Sequence, residues 1–252
     1  MDTRFSIYHR GGKRLFDVLV STVALSALSP LLCLIAVLVR IVLGAPVLFR
    51  QTRVGLHGKP FTILKFRSMT NKRAAAGELL SDTARMTRLG RFLRATSLDE
   101  LPEFFNVLWG DMSLVGPRPL LTRYQPWYRA NELKRFDVRP GITGWAQING
   151  RNSLSWDERF QRDVRYVENC NLVLDLKILV FTVGKVLRRE NVQVDTSLTL
   201  PSLDDERREK PGGLGSHEKE LKMSVDTTPN AASGRLVIID GQPLFNKGIR
   251  CQ

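Results

Sequence analysis

The sequence contains little cysteine and little histidine, and this scarcity excludes several kinds of protein. The three cysteines, Cys33, Cys170 and Cys251, lie far apart with no Cys-x-x-Cys pair, and only three histidines are present. An odd number of scattered cysteines does not build a disulfide framework, and too few His and Cys residues cluster to form a zinc site. The pattern is typical of a protein kept in a reducing compartment.

Familiar catalytic and binding signatures are also missing. The chain has no G-x-G-x-x-G fingerprint, no P-loop and no convincing arrangement of Ser, His and acid for a catalytic triad. It has no helix-turn-helix, zinc-finger or stacking-aromatic motif either. We therefore do not expect nucleic acid as a partner, although a basic nucleic-acid-associated protein is the alternative that charge alone would allow.

Acidic residues are scarce at the start of the chain. Residues 1–75 hold 12 Lys or Arg but only Asp2 and Asp17 as acids, whereas residues 201–252 hold eight of each sign. The formal net charge of +13 therefore belongs to the first 200 residues. Such a surface favours phosphate-bearing partners, among them anionic lipid and phosphorylated substrates.

One hydrophobic run is long enough to reach across a membrane. Residues 18–39 contain 22 positions without a charge, and about 20 apolar residues span the hydrocarbon core. Two features oppose a simple span. Ser29-Pro30 lies near the middle, where proline removes a backbone donor and disfavours helical geometry in the preceding residue. Lys and Arg flank the run on both sides, and such residues stay on the cytoplasmic side.

These features favour a re-entrant hairpin, in which a helix breaks at Ser29-Pro30 and both ends remain cytoplasmic. Each half, of roughly 12 residues, would reach about 18 Å, which is short of the roughly 30 Å core. A proline-kinked span, a buried soluble hairpin and a cleaved signal peptide stay open as alternatives for this segment. We assign residues 1–12 to an N-terminal segment and residues 13–45 to the hairpin.

The remaining chain predicts an α+β, mostly helical catalytic domain over residues 46–200. Alternating apolar residues around Gly-rich turns indicate strands, and apolar residues at helical spacing indicate helices. A tail rich in Gly, Pro, Ser and mixed charge is typical of disorder. The predicted elements are a β-hairpin over 46–69, a polar loop over 71–84, a charged helix over 155–168, a core or interfacial helix over 172–187 and a disordered tail over 201–252.

The segment Ser97-Leu98-Asp99-Glu100 is a candidate for chemistry. Serine followed by Glu three residues later is a capping box, so we predict a helix that starts at Ser97 and ends at Gly110. Asp99 and Glu100 would lie in its first turn, where the helix dipole keeps carboxylates ionised and free N–H groups hold phosphate. Adjacent carboxylates attract Mg²⁺, and an ionised Asp can attack phosphorus. The alternative is that Glu100 only caps the helix and Asp99 only interacts favourably with the helix dipole.

Basic residues around this segment are candidates for phosphate binding, because the guanidinium fork binds phosphate through two hydrogen bonds. For each of them a solvated surface charge is the alternative. They are Lys65, Arg67, Arg94, Arg118, Arg139 and Arg151.

A series of sequence blocks across residues 13–191 resembles the bacterial sugar transferase family, the monotopic phosphoglycosyl transferases. One block alone would be weak, but the ordered set is highly specific. The blocks are KRLFD (13–17), SP (29–30), KFRSM (65–69), RATSLDELP (94–102), NVLWGDMSLVGPRP (106–119), RPGITG (139–144), QINGR (147–151) and LDLK (174–177).

The resemblance implies a two-step transfer. The residue matched by Asp99 attacks the β-phosphate of a UDP-sugar and expels UMP, and the phosphosugar then passes to undecaprenyl phosphate. Glu100 matches the ligand of Mg²⁺, which Mn²⁺ could replace, and Ser29-Pro30 matches the re-entrant break. Lys65, Arg118, Arg151 and Asp175 match polar active-site positions of the family. Independently of that match, Arg67, Arg94 and Pro117 are also expected to bind substrate or phosphate.

The resemblance also implies a setting for the enzyme. We expect it at the cytoplasmic face of the bacterial inner membrane, as a minimal catalytic form without the multi-span region of larger relatives. Its expected partners are a UDP-sugar, undecaprenyl phosphate, the membrane and a second copy in a homodimer. A membrane-anchored scaffold without catalysis is the alternative function. The residues leave the sugar and the glycoconjugate pathway open.

Overall fold

The computed structural model describes residues 8–75, 77–150, 154–188 and 202–209. These form the mostly helical α+β arrangement that the sequence predicts. The helices are α1 (Lys13–Leu43), α2 (Asp82–Arg85), α3 (Arg88–Ala95), α4 (Glu103–Trp109), α5 (Trp145–Ile148), α6 (Trp156–Asn169), α7 (Leu172–Leu187) and α8 (Leu203–Glu209). The strands are β1 (Leu48–Val54), β2 (Pro60–Phe66), β3 (Ser113–Val115) and β4 (Gly141–Thr143). A π turn covers Tyr8–Gly12, and 3₁₀ segments cover Leu56–Gly58, Leu98–Glu100, Thr122–Trp127 and Ala130–Phe136.

Helix α1 runs through the apolar segment without interruption, so the predicted break of the helix at Ser29-Pro30 is wrong. Proline at position 30 leaves the carbonyl of Ser26 without its usual backbone donor. The hydroxyl of Ser29 donates to that carbonyl at 2.9 Å, which explains how the helix continues past the proline. By length and composition α1 could cross a membrane, since its most apolar window has a mean hydropathy of 2.4 and is only 11% buried.

The buried residues of α1 lie towards its two ends. Near the start, Oδ1 of Asp17 accepts a hydrogen bond from the backbone N–H of Leu114 at 3.1 Å. Near the end, Ile35 and Val39 are buried in an apolar cluster with side chains of β2 and α3. No residue from 22 to 34 is buried. The middle of α1 is therefore the less buried part of this helix.

Strands β1 and β2 form the antiparallel hairpin predicted for residues 46–69. Asn106 of α4 fastens this hairpin to the helix. Its Oδ1 accepts from the N–H of Leu64 at 3.0 Å, and its Nδ2 donates to the carbonyl of Thr62 at 2.7 Å. Lys65, a predicted site residue, directly follows Leu64 in β2. The contact with Asn106 therefore sets the position of Lys65 relative to α4.

Strands β3 and β4 pair in parallel and lie within the largest buried cluster. The cluster joins the hairpin, α4, α6 and α7, and its free thiol, Cys170, is fully buried. Its buried members are Ile63, Val107, Met112, Leu114, Val115, Ile148, Tyr166, Cys170 and Ile178.

Helices α6 and α7 confirm the helices predicted over 155–168 and 172–187. Several apolar side chains of α7 are exposed, among them Val173, Val180 and Val183. An exposed apolar face is what an interfacial helix requires, and the interfacial location itself stays a prediction.

Helix α8 lies inside the segment predicted to be a disordered tail. Leu203 is fully buried, and Arg207 forms a bidentate ion pair with Glu132, with distances of 2.6 and 2.8 Å. These contacts give the segment a packed partner, so the prediction of disorder is wrong for residues 203–209. Residues 210–252 lie outside the described residues.

Candidate active site

A cavity of about 710 Å³ opens between the β1–β2 hairpin, α3, the Leu98–Glu100 turn and α6. Acidic and basic side chains both line it, so it suits a ligand that carries several charged oxygens. Six residues predicted from the sequence meet here: Lys65, Arg67, Arg94, Asp99, Glu100 and Arg118.

The acidic pair lies in a turn and not at the start of an α-helix. Ser97 adopts a left-handed conformation, with φ of 55° and ψ of 17°, and its side chain makes no capping hydrogen bond. The 3₁₀ turn Leu98–Glu100 follows, and α4 begins only at Glu103. The predicted capping box and the predicted helix start at Ser97 are therefore wrong. Gly110, with φ of 94°, ends α4 as predicted.

Two cations hold the side chain of Glu100. Its Oε1 accepts hydrogen bonds from Nζ of Lys65 at 2.6 Å and from Nη2 of Arg118 at 3.2 Å. Nζ of Lys65 also lies 3.0 Å from Oε1 of Glu103. Burial lowers the pKa of Lys65, but Glu100 and Glu103 raise it by more, so this amine stays charged. Burial raises the pKa of Glu103, whereas 40% of the Arg118 side chain remains exposed.

Asp99 is a buried carboxylate beside these charges, with 9% of its surface exposed. Burial and then the charge of Glu100 raise the pKa of Asp99 to about 6, against the opposing effects of Lys65 and Arg94. Asp99 is therefore ionised at neutral pH but poorly solvated. A carboxylate of this kind is suited to attack a phosphate whose charge is neutralised by the same cations.

Asp99 and Glu100 also form a donor set that fits Mg²⁺. Within the described part of the chain, no group of three or more His, Cys, Asp or Glu side chains makes a complete metal site. Mg²⁺ commonly uses one or two carboxylates and takes its other ligands from water and substrate phosphates. The residues therefore suit a metal that binds together with a diphosphate.

Arg94 and Arg67 line the cavity but have different partners. Nε of Arg94 donates to Oγ of Ser68 at 2.9 Å. Arg67 donates to the carbonyls of Gly44 and Ala45, both at 2.8 Å. Because Gly44 follows the last residue of α1, Arg67 caps this helix end. Phosphate binding by either arginine stays a prediction.

Asp175 does not line this cavity. It is completely buried, and its carboxylate accepts hydrogen bonds from the hydroxyls of Tyr8 at 2.5 Å and Tyr166 at 2.7 Å. Nζ of Lys13 forms an ion pair with it at 2.5 Å. These contacts join the start of α1 to α7, so the geometry supports an anchoring role for Asp175.

The loop that presents Arg118 is braced by its neighbours. The carbonyl of Pro117 accepts a hydrogen bond from the N–H of Gly141 at 3.0 Å. Nε of Arg139 donates to a carbonyl at the end of α4 at 2.8 Å. Arg151 lies outside the described residues.

Sequence reasoning missed Glu103, Arg53 and Arg159, which border the site. Phe49 pairs with Lys65 across the hairpin, and alternate residues of a strand share a face, so Arg53 lies on the face of Lys65. The period of two along β1 could have identified Arg53. Arg159 lies on α6, far along the chain, and no local pattern indicates it.

Known proteins are similar in sequence to this chain over most of the described region. A family model described as bacterial sugar transferase matches residues 8–189. A Bacillus subtilis protein named "Uncharacterized sugar transferase EpsL" is 52% identical over 187 residues, which cover 74% of this chain and 93% of that protein. The "UDP-glucose:undecaprenyl-phosphate glucose-1-phosphate transferase" of Escherichia coli is 43% identical over 195 residues, 73% of this chain and 42% of that protein. The "Undecaprenyl-phosphate galactose phosphotransferase" of Salmonella typhimurium is 41% identical over 203 residues, 71% of this chain and 41% of that protein. The chain thus spans less than half the length of the last two.

Proposed function

Because the chain belongs to the bacterial sugar transferase family, we propose that it moves a sugar 1-phosphate from a UDP-sugar to undecaprenyl phosphate and releases UMP. The observation that carries this proposal is the buried Asp99 carboxylate in a cavity that Glu100, Lys65 and Arg94 also line. The names of the Escherichia coli and Salmonella typhimurium relatives support the class of carrier and reaction. Because one is named for glucose and the other for galactose, the proposal leaves the sugar open.

In the proposed first step, ionised Asp99 attacks the β-phosphorus of the UDP-sugar. A bond forms between a carboxylate oxygen of Asp99 and phosphorus, while the bond from phosphorus to the bridging oxygen breaks. That oxygen leaves on UMP with the electron pair, and the sugar phosphate stays on Asp99 as an acyl phosphate. Lys65 and Arg118 lie next to Glu100 and would stabilise the charge on the phosphoryl oxygens.

In the proposed second step, an oxygen of the carrier phosphate attacks the same phosphorus. The bond from Asp99 to phosphorus breaks, which returns the carboxylate and yields a polyprenyl diphosphate sugar. No general base is needed for either attack, since both nucleophiles are anions.

Glu100 would hold the Mg²⁺ or Mn²⁺ ion together with the donor diphosphate, with Asp99 adjacent. When bound, the metal supplies positive charge to the transferred phosphoryl group. The hydrogen bonds from Lys65 and Arg118 hold the Glu100 carboxylate in place.

We place this site at the cytoplasmic face of the bacterial inner membrane, with a homodimer as the proposed assembly. Support comes from the apolar α1, from the absence of buried residues between positions 22 and 34, and from the basic residues on both flanks. A bend at Pro30 within a continuous helix would let both ends stay cytoplasmic. Labels placed before Lys13 and after Arg53 should then both react from the cytoplasm. A periplasmic N-terminus would contradict the re-entrant topology in favour of a span.

Such a transfer would start a pathway of exopolysaccharide or lipopolysaccharide synthesis. The alternative is a membrane-anchored scaffold that keeps the fold without catalysis. The intact Asp99 and Glu100 pair and the charged cavity around it oppose this alternative.

The test is release of UMP from a panel of UDP-sugars by the purified full chain in detergent with undecaprenyl phosphate and Mg²⁺. We expect release with one or a few donors. When the carrier is omitted, mass spectrometry should find the sugar phosphate on Asp99. No release from any donor by folded protein would favour the scaffold.

A further inference from the structure

Helix α8 (Leu203–Glu209) lies beyond residues 8–189, the part of the chain that the family model matches, and the steps above use none of its residues. Its inner face is nevertheless deeply buried. Leu203 is fully buried in an apolar cluster that includes Tyr124, Tyr128 and Phe160, and only 5% of Arg207 is exposed. Because a charged side chain is rarely buried to this extent without partners, the contacts of Arg207 indicate what α8 does for the fold.

Arg207 joins α8 to two other elements. Its Nη2 and Nη1 donate to Oε1 and Oε2 of Glu132 at 2.6 and 2.8 Å, and a bidentate pair of this kind fixes orientation as well as distance. The Arg207 guanidinium also lies 5.3 Å from the ring centroid of Phe160 on α6. Asp157 accepts a further bond from Nη2 at 3.2 Å, but its side chain is 43% exposed, so water weakens this pair.

Arg135 carries these contacts towards the active site. It follows Glu132 by three residues in the 3₁₀ segment Ala130–Phe136, and its side chain is only 2% exposed. Its Nη2 donates to the backbone carbonyl of Arg118 at 2.8 Å and to Oδ2 of Asp163 at 2.9 Å. The Arg135 guanidinium lies 5.3 Å from the ring centroid of Phe160. Arg207 and Arg135 therefore contact the same ring, and the partner of Arg207 lies in the segment that contains Arg135.

The position of the Arg118 guanidinium depends on its backbone. The side chain is 40% exposed, and its Nη2 reaches Oε1 of Glu100 at 3.2 Å. A long, partly solvated side chain retains rotamer freedom, so packing alone does not fix its end, and the place of its backbone decides how well it reaches the site. A misplacement of about 1 Å in an active site can cost up to about 10²-fold in rate.

We propose that Arg207 is a positioning residue for the transfer reaction. By binding Glu132 and the ring of Phe160 it fixes Arg135, and Arg135 in turn fixes the backbone of Arg118. Arg118 is then placed to stabilise charge on the transferred phosphoryl group. This inference rests on the proposed function and adds a residue of α8 to the groups that support it.

The test is the kcat for UMP release by the purified full chain in detergent, with saturating UDP-sugar and undecaprenyl phosphate. Arg207→Gln should lower kcat about fivefold. Arg118→Gln should lower it about 10²-fold. When both are combined, Arg207→Gln should add less than about a twofold loss, because the group that it positions is already gone.

Arg208→Gln is the matched control. Arg208 is the next residue of α8, is exposed, and lies 5.5 Å from the ring centroid of Trp127. Its substitution should leave kcat unchanged in both backgrounds. Arg207→Lys retains the charge without the two-pronged contact to Glu132, so it should lower kcat by less than Arg207→Gln does, again only when Arg118 is present.

A purely stabilising role for Arg207 predicts another result. The fold-loss in kcat would then be the same with and without Arg118 and would follow the melting temperature, and this outcome would overturn the inference alone. Normal kcat in folded Arg207→Gln protein would do the same. If Arg207→Gln does not fold, the comparison of Arg207→Lys in the two backgrounds decides. Failure of the unmodified protein to release UMP from any donor would overturn the proposed function together with this inference.

Discussion

Two segments of this chain share the pattern Ser-x-Asp-Glu, at 97–100 and at 155–158, and they form different structures. At the second, Oγ of Ser155 accepts from the N–H of Glu158 at 3.3 Å, and Oε2 of Glu158 accepts from the N–H of Ser155 at 3.0 Å. This reciprocal pair is the capping box that starts α6. At the first, Ser97 makes no such bond and takes a left-handed conformation.

The difference arises from what surrounds each segment. Helix α3 ends at Ala95, and neither Thr96 nor Ser97 is extended, so no residue here has the backbone conformation of a cap. Glu100 then meets the buried amine of Lys65 and the guanidinium of Arg118. Both partners of these contacts are charged, whereas a capping bond joins the carboxylate to a neutral N–H, so the electrostatic attraction is larger here. The copy of the pattern that fails as a cap is therefore the one that builds the site.

The largest expected effect is the difference in UMP release between substitution of Asp99 and substitution of Asp157. Asp99→Asn should lower UMP release by at least about 10³-fold, because the amide cannot attack phosphorus while its shape is conserved. Asp157→Asn is the matched control. Asp157 pairs with Arg129 at 3.1 Å and with Arg207 at 3.2 Å. Its substitution should therefore lower the stability of the fold and leave turnover nearly unchanged. Normal UMP release by folded Asp99→Asn protein would remove Asp99 from the nucleophile role.

The second-largest expected effect is the difference in turnover between substitution of Glu100 and substitution of Glu158. Glu100→Gln should lower turnover by about 10²-fold and raise the Mg²⁺ concentration that is required, because a carboxylate that holds the metal is lost. EDTA should stop the unmodified protein, and Mg²⁺ or Mn²⁺ should restore it. Glu158→Gln keeps a residue that a capping box accepts and should have neither effect. Full activity after thorough removal of metal would end the role proposed for Glu100.

The pH profile should sharpen the same contrast. Since the pKa of Asp99 is raised to about 6, kcat/KM should fall as the pH drops below that value and Asp99 becomes protonated. Burial raises the pKa of Asp157, but hydrogen bonds and charge from Arg129 and Arg207 give it a net decrease. Asp157 therefore stays ionised over this range. A rate profile that is flat between pH 5 and pH 8 would show that Asp99 ionisation does not limit the reaction.

The smallest effect concerns the two serines. Ser155→Ala should lower the free energy of unfolding by about 1 kcal/mol, since it removes a capping acceptor. Ser97→Ala should change it by less than about 0.5 kcal/mol, since no capping bond is lost. Ser97→Gly should stabilise the fold slightly, because glycine adopts a positive φ without the steric cost of a side chain. Denaturant unfolding of the three variants measures these differences, and an equal loss for both alanine variants would contradict the contrast.

Local patterns predicted the elements whose contacts are mostly local. The hairpin over residues 46–69 and helices α6 and α7 follow from alternation and from helical spacing, and the structure confirms them. The same reasoning failed at Pro30, because the rule for proline takes no account of the Ser29 hydroxyl that bonds to the freed carbonyl. It failed at α8, where Arg207 finds Glu132 at a distance that no local window covers.

The candidate site was likewise predicted only in part. Sequence blocks marked Asp99, Glu100, Lys65 and Arg118 as members of one site although they lie on separate elements, and the cavity brings them together. The sequence blocks did not distinguish residues that line the cavity from residues that hold the surrounding helices and strands together. Asp175 is buried against the start of α1 and not in the cavity, a distinction that depends on which side of α7 packs inward.

By itself the sequence determined the mostly helical composition, the apolar N-terminal segment and the pair of adjacent carboxylates, because these follow from residue type and spacing. It determined the family through the resemblance of its ordered blocks. Only the tertiary structure decided that Glu100 turns to Lys65 and Arg118, that Asp99 is buried enough to raise its pKa, and that Arg53 and Arg159 share the cavity. Burial and electrostatic coupling act between side chains that approach through space. Their strength is therefore set by distances that the order of residues along the chain does not contain.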